Sequence, residues 1–239
     1  MKNRYLLLTA LVVICNAGML KAQSLTSWGL FAGPGTRNLS YGSKNIFAHP
    51  DIGLDAGILA ELRFSEHFSF QPMLEYSAQG SKHGMFISSL NYTDPQYAND
   101  VKFGELNYLM IPLLAKFGWQ LGSESPMRFF VNVGPYAAFL MSANQVLVTP
   151  DQQMISGTSE DVKPELNTFN AGLDANVGVS YFFHLSSIFV QIGGNYGFLK
   201  LQKDQSAGVN YSGAASIAVG YTFWFDDNFL VNGHFSPKN

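Results

Sequence analysis

Asp51-Ile52-Gly53-Leu54-Asp55-Ala56-Gly57-Ile58-Leu59-Ala60-Glu61-Leu62-Arg63, then after a short break Phe68-Ser69-Phe70-Gln71-Pro72-Met73-Leu74-Glu75-Tyr76-Ser77-Ala78-Gln79, is the stretch that decides the fold. Even positions are apolar in both runs and odd positions are mostly polar or glycine, the period of two of a strand with unlike faces. Pairing two such strands on the same face needs a loop of odd length, and Ser65-Glu66-His67 supplies one. Each run has about eleven residues or more, the length a tilted strand needs to cross a bilayer. The pair reads as a transmembrane hairpin.

Outward from this hairpin the alternation recurs over residues 25–36, 105–119, 127–144, 166–183, 188–201 and 211–225, which brings the count to eight strands. The breaks near Ser65, Ser123 and Ser186 are brief, whereas those after Thr36, Gly80, Asn144 and Leu201 are longer. Short periplasmic turns alternating with longer external loops are the outer-membrane pattern, and an even strand number returns both ends to the periplasm. The expected fold is all-β: an eight-stranded antiparallel transmembrane β-barrel, an up-and-down meander. Pro72, Pro112 and Pro135 fall inside these strands, so bulges are expected there.

Composition agrees with a lipid-facing exterior. Charged residues are 13% of the chain, against about 25% in a typical soluble domain. Aromatics reach 14%, and beyond the leader no run of about eighteen apolar residues offers a membrane helix. Residues 1–23 read as a secretory signal, with Lys2 and Arg4 ahead of a short apolar core, cleaved on export. The barrel is expected over 24–225 and a periplasmic tail over 226–239. Cys15 is the only cysteine and lies in the signal, so the exported chain has no thiol chemistry. A net charge of -3 argues against nucleic-acid partners.

The inward faces carry Asp55, Glu61, Arg63, Glu75, Lys116, Arg128 and Asp174. Side chains just fill the lumen of an eight-stranded barrel, so these residues are expected to form a structural polar network, with Glu61, Arg63 and Lys116 at a shared periplasmic depth. Phe64, Trp119, Phe183, Trp224 and Phe225 fall at periplasmic strand ends and are expected in the membrane-interface girdle. Tyr92 and Tyr97, in the loop over 81–104, are the candidates for binding an external partner. The five histidines are dispersed without metal-ligand spacing, so neither a metal nor a cofactor is expected. His67 with Ser69, or His184 with Ser186, would be the start of a lipid hydrolase site, but no third orienting group accompanies either pair.

Leu106-Asn107-Tyr108-Leu109-Met110-Ile111-Pro112-Leu113-Leu114 and Asn132-Val133-Gly134-Pro135-Tyr136, set in this eight-strand layout, resemble the Bacteroidetes outer-membrane β-barrel family that includes PorT. Gly220-Tyr221-Thr222-Phe223-Trp224-Phe225 resembles the insertion signal of outer-membrane barrels, though 226–239 continue past it. Met110 stands where the family motif leads one to expect an acidic residue. The resemblance implies outer-membrane lipid and the barrel insertion machinery as partners, with secretion-system components as further ones. The function expected is a non-enzymatic structural, binding or assembly role through the loops. The alternatives are a PorT-like secretion accessory and a lipid-modifying enzyme.

Overall fold

A computed structural model describes residues 27–41, 51–79, 101–122, 125–148, 160–183, 185–203 and 210–225. The signal, the tail 226–239, Tyr92, Tyr97 and His184 lie outside them. The strands are β1 (Ser27–Tyr41), β2 (Asp51–Arg63), β3 (Phe68–Gln79), β4 (Val101–Gln120), β5 (Met127–Val148), the two-residue β6 (Glu160–Asp161), β7 (Phe169–Phe182), β8 (Ser186–Gly197) and β9 (Asn210–Trp224). Antiparallel pairing runs β4-β3-β2-β1-β9-β8-β7-β5, and β4 also pairs with β5, so eight strands close into a barrel and β6 adds to the edge of β5. Closure leaves no free edge within the ring, the condition for burying backbone polar groups in lipid.

The organising hairpin takes the expected register, Asp55↔Ser77 through Arg63↔Ser69. Its turn is closed by the Phe64 and Ser65 amides, both donating to the Phe68 carbonyl. Even residues such as Leu54, Ile58, Leu74 and Tyr76 face outward and odd ones such as Asp55, Leu59, Gln71 and Ser77 inward. In the β4–β5 turn, Gly122 holds φ 113°, a conformation that side chains resist.

Three expectations are corrected. The prolines need no bulge: register is the same on either side of Pro72, with Pro72↔Leu113 and Glu75↔Met110, and of Pro112, with Pro112↔Tyr136 and Ala115↔Val133. A missing N–H removes a ladder bond without requiring an extra residue. The register shift between β4 and β5 lies instead at Asn107/Tyr108, where Asn107 pairs with Ser142 but Tyr108 with Leu140, leaving Met141 as the bulged residue. Leu140 and Ala143 are therefore both buried, and the inward side of β5 passes from even to odd positions, so the even parity expected over 127–144 ends at the bulge. Finally, strand ends move. β7 begins at Phe169, three residues after the expected start, behind a 3-10 turn at Lys163–Glu165, while β8 stops at Gly197.

The lumen is packed in layers. A central apolar layer comprises Phe31, Leu59, Met73, Leu114, Phe130, Phe189 and Ala218. Phe31, Phe130, Phe189 and the higher Tyr136 each lie directly across from a glycine: Gly57, Gly178, Gly220 and Gly172. A Cβ on any of these glycines would meet the opposing ring at 2.9 Å or less. The glycines leave room for the rings to lie flat on the neighbouring strand, an arrangement known from aromatic–glycine strand pairs. Gly220→Val is accordingly expected to cost about 1–3 kcal/mol by overpacking. Urea unfolding in vesicles should show the loss, and adding Phe189→Ala should recover part of it.

Candidate functional site: the filled lumen and the extracellular ribbon

At the end with the short turns, which in outer-membrane barrels is the periplasmic one, Lys116 Nζ lies 2.9 Å from Glu61 Oε2 and 3.1 Å from Gln71 Oε1, and 4.7 Å from the centre of the Phe130 ring. Ser69 Oγ donates to the other Glu61 oxygen at 2.8 Å. Glu61 is buried, so its charge is met by one ammonium and one hydroxyl in place of water. Arg63 shares this depth but turns to the β2–β3 turn, donating from Nε to the Ser65 carbonyl at 3.1 Å and from its terminal nitrogen to that of Glu66 at 2.8 Å. Arg128 reaches across to the same Glu66 carbonyl and to that of Gly118. Gly118 lacks the Cβ that would collide with this guanidinium.

Trp224 is a correction. The pleat that sends Phe223 and Phe225 outward turns Trp224 into the lumen, where it is 7% exposed and donates from Nε1 to Ser187 Oγ. It packs against Phe182 at 5.4 Å and closes the periplasmic mouth from within. Phe64, Trp119, Phe183 and Phe225 stay exposed, beside Trp28, Phe117 and Phe223. A second set of outward aromatics, Tyr76, Phe139, Phe169, Tyr196 and Phe198, rings the extracellular side, with aliphatic residues such as Ile58, Leu113, Val177 and Val219 between the two. This is the outward pattern of a bilayer-spanning barrel.

Above the central apolar layer, Asp55, Glu75 and Asp174 are all buried. Ser77 Oγ donates to Asp55 at 2.9 Å and Asn176 Nδ2 to Asp174 at 2.5 Å. Higher still, Leu106, Tyr108, Met110, Tyr136, Leu140 and Ala143 meet Val162, Leu166 and Leu201 from the two connecting segments and form an apolar cap. Sequence reasoning missed this cap and the central layer, although large apolar residues on the polar face, Phe31, Leu59, Met73, Phe130 and Phe189, were the available signal.

Ser69 spends its hydroxyl on Glu61 inside the lumen while His67 stays exposed in the turn, so that pair is not brought together. Among the described residues no group of three or more His, Cys, Asp or Glu is arranged to hold a metal ion.

On the extracellular side β5 pairs with β7 only as far as Phe139↔Phe169, then continues with β4 to Val101↔Val148. From Phe139 to Val148 this is about 30 Å of strand at the usual rise per residue. An outward Asn107–Ser142 hydrogen bond of 2.9 Å lies at the foot of the ribbon, and β6 pairs with the ribbon at Asn144↔Asp161.

Residues 21–203 match the family model described as outer membrane protein beta-barrel domain. The chain belongs to that family. Its place is the bacterial outer membrane, consistent with the two aromatic rings and the aliphatic band between them. Among solved structures, this outer-membrane barrel is similar to Neisserial surface protein A, at 12% identity and a TM-score of 0.47, covering 83% of this chain and 97% of that one. A major outer membrane protein from Thermus thermophilus gives 13% identity and a TM-score of 0.45, covering 84% and 99%. Ail, the attachment invasion locus protein of Yersinia pestis, gives 13% and 0.40, covering 83% and 99%. Among curated proteins none matches this chain.

Proposed function

We infer that this protein is a non-enzymatic, non-conducting barrel that works at the cell surface, binding a partner through the β4–β5 ribbon and the loops beside it. The observation that carries the reading is the contrast between the two parts. The lumen is filled by the Trp224 closure, the central layer and the cap, while β4 and β5 continue well beyond the membrane-facing aromatics. A filled lumen offers no water path for solutes. A long two-stranded ribbon is a rigid mount for the β3–β4 connection, which carries Tyr92 and Tyr97.

Two measurements test it. Reconstituted in planar bilayers, the protein should show no conductance steps, and steps in the wild type would overturn the filled-lumen reading. On intact cells a membrane-impermeant maleimide should label Val148→Cys and leave Ser65→Cys unlabelled until the membrane is permeabilised. The opposite pattern would place the ribbon in the periplasm and remove the basis for surface binding.

The resemblance to PorT supports a second reading, a secretion accessory. Its motif residues Leu106, Tyr108, Met110, Leu114, Asn132 and Tyr136 are buried lumen positions here, so the shared motif is a packing signature of the wall. A secretion role would then act through the periplasmic turns and the tail 226–239, and normal secretion in a deletion strain would exclude it.

A further inference from the structure

The bulge at Met141 exposes a backbone carbonyl at the point where β5 leaves β7 behind, and Lys163 Nζ donates to that carbonyl at 2.8 Å. Lys203 Nζ donates to the carbonyl of Pro164, the residue after Lys163, at 2.6 Å. The two ammonium groups thus bracket one 3-10 turn, Lys163–Glu165. Both hydrogen bonds are to neutral main-chain oxygens. Among the described residues neither ammonium is in a salt bridge, and each keeps donors beyond the one it uses. Of the acids on the same segment, Asp161 turns to the Lys163 main-chain amide, at 3.0 Å, and neither it nor Glu165 is in a salt bridge with either ammonium group among the described residues.

Immediately below, on the outer wall, lie Met141, exposed at 54%, and the Phe139–Phe169 pair, with ring centres 5.5 Å apart. Phe198 and Leu199, also exposed, lead into the segment that carries Lys203. The two ammonium groups are therefore anchored around one short turn, next to exposed apolar residues of the outer wall. Acyl chains fit the apolar residues, and a phosphate fits the ammonium groups.

We propose that Lys163 and Lys203, above the Phe139–Phe169 face, bind the phosphorylated headgroup of an outer-leaflet glycolipid. This site rests on the same orientation of the barrel as the proposed function but not on the ribbon having a partner, so an inverted maleimide pattern would remove both, whereas the lipid experiment below can fail while surface binding stands.

The test uses the full chain in detergent, incubated with diphosphoryl lipid A or with the same lipid freed of phosphate, and native mass spectrometry to count retained lipid. Wild type should retain the phosphorylated lipid preferentially. Removing both ammonium groups removes the charge-assisted donors, so Lys163→Gln/Lys203→Gln should weaken retention roughly tenfold. Lys163→Arg/Lys203→Arg should keep it, and heat-modifiable migration of all variants should show a folded barrel. Equal retention of the phosphate-free lipid, or undiminished retention by the folded glutamine variant, would overturn the proposal. Displacement by millimolar inorganic phosphate would overturn it too, because the ligand would then be free phosphate and not a lipid.

Discussion

Lys116→Met is expected to destabilise the barrel by about 3–5 kcal/mol, the cost of leaving a buried charge without its partner. Glu61 is 2% exposed, and after the substitution the Ser69 hydroxyl and the more distant Arg63 charge would be left to face its carboxylate. Gln71 Oε1 would lose a donor and Phe130 the cation above its ring. Urea unfolding in lipid vesicles, followed by tryptophan fluorescence, measures the change. A second variant separates the pair from the packing: Lys116→Met/Glu61→Leu removes both charges and should recover most of the loss, since apolar replacements of a buried pair are often neutral or better. If the single variant unfolds at the wild-type urea concentration, the pair does not hold the periplasmic end together.

Phe130→Ala should cost a similar amount, about 3–5 kcal/mol, for a different reason. Phe130 is 1% exposed, sits edge-on to Phe189 at 6.1 Å and lies flat over Gly178, with Lys116 on its ring. Its truncation leaves a void that neighbouring glycine cannot fill, and it removes the ring that packs against Lys116 of the Lys116–Glu61 pair. Because the two sites touch, the double variant Phe130→Ala/Lys116→Met should lose less than the sum of the single losses. Additive losses would show that the central layer and the ion pair act independently. The same double variant in planar bilayers offers a structural readout, since opening both layers is the route by which this barrel would begin to conduct.

Much of the barrel was legible because lipid imposes one chemistry on every outward position. Leu54, Ile58, Leu74 and Tyr76 announce the outer face of the hairpin, and three residues between the strands set its register. The strand number and meander follow from the same alternation and from the spacing of its breaks. Less was legible inside. The inward face has no solvent to select one polarity, so Phe130 and Lys116 are neighbours in the lumen, and period-two reading gives no sign that they touch. Trp224 shows a related failure: an aromatic at a strand end fits a girdle by composition, whereas its parity with Thr222 places it inside.

The extracellular parts were hidden for another reason. Beyond the Asn107–Ser142 pair, β4 and β5 run on from Leu106↔Ala143 to Val101↔Val148, and the sequence over 101–104 and 145–148 is too short a run to show a clear period of two. Residues 101–104 and 145–148 therefore read as loop although they are strand. The bulge at Met141 is equally silent, because one extra residue changes the facing of Ser142 and Ala143 without any special residue type.

By itself the sequence determined the class, the strand count, the pairing order and the direction of almost every outward side chain, because the bilayer demands alternation and closure. Only the tertiary structure decided how the lumen is filled, that Arg63 binds its own turn while Lys116 takes Glu61, and that Lys163 and Lys203 meet around one bulge. Those outcomes depend on residues far apart in the chain arriving at the same depth, which is set by register and strand tilt and not by local pattern.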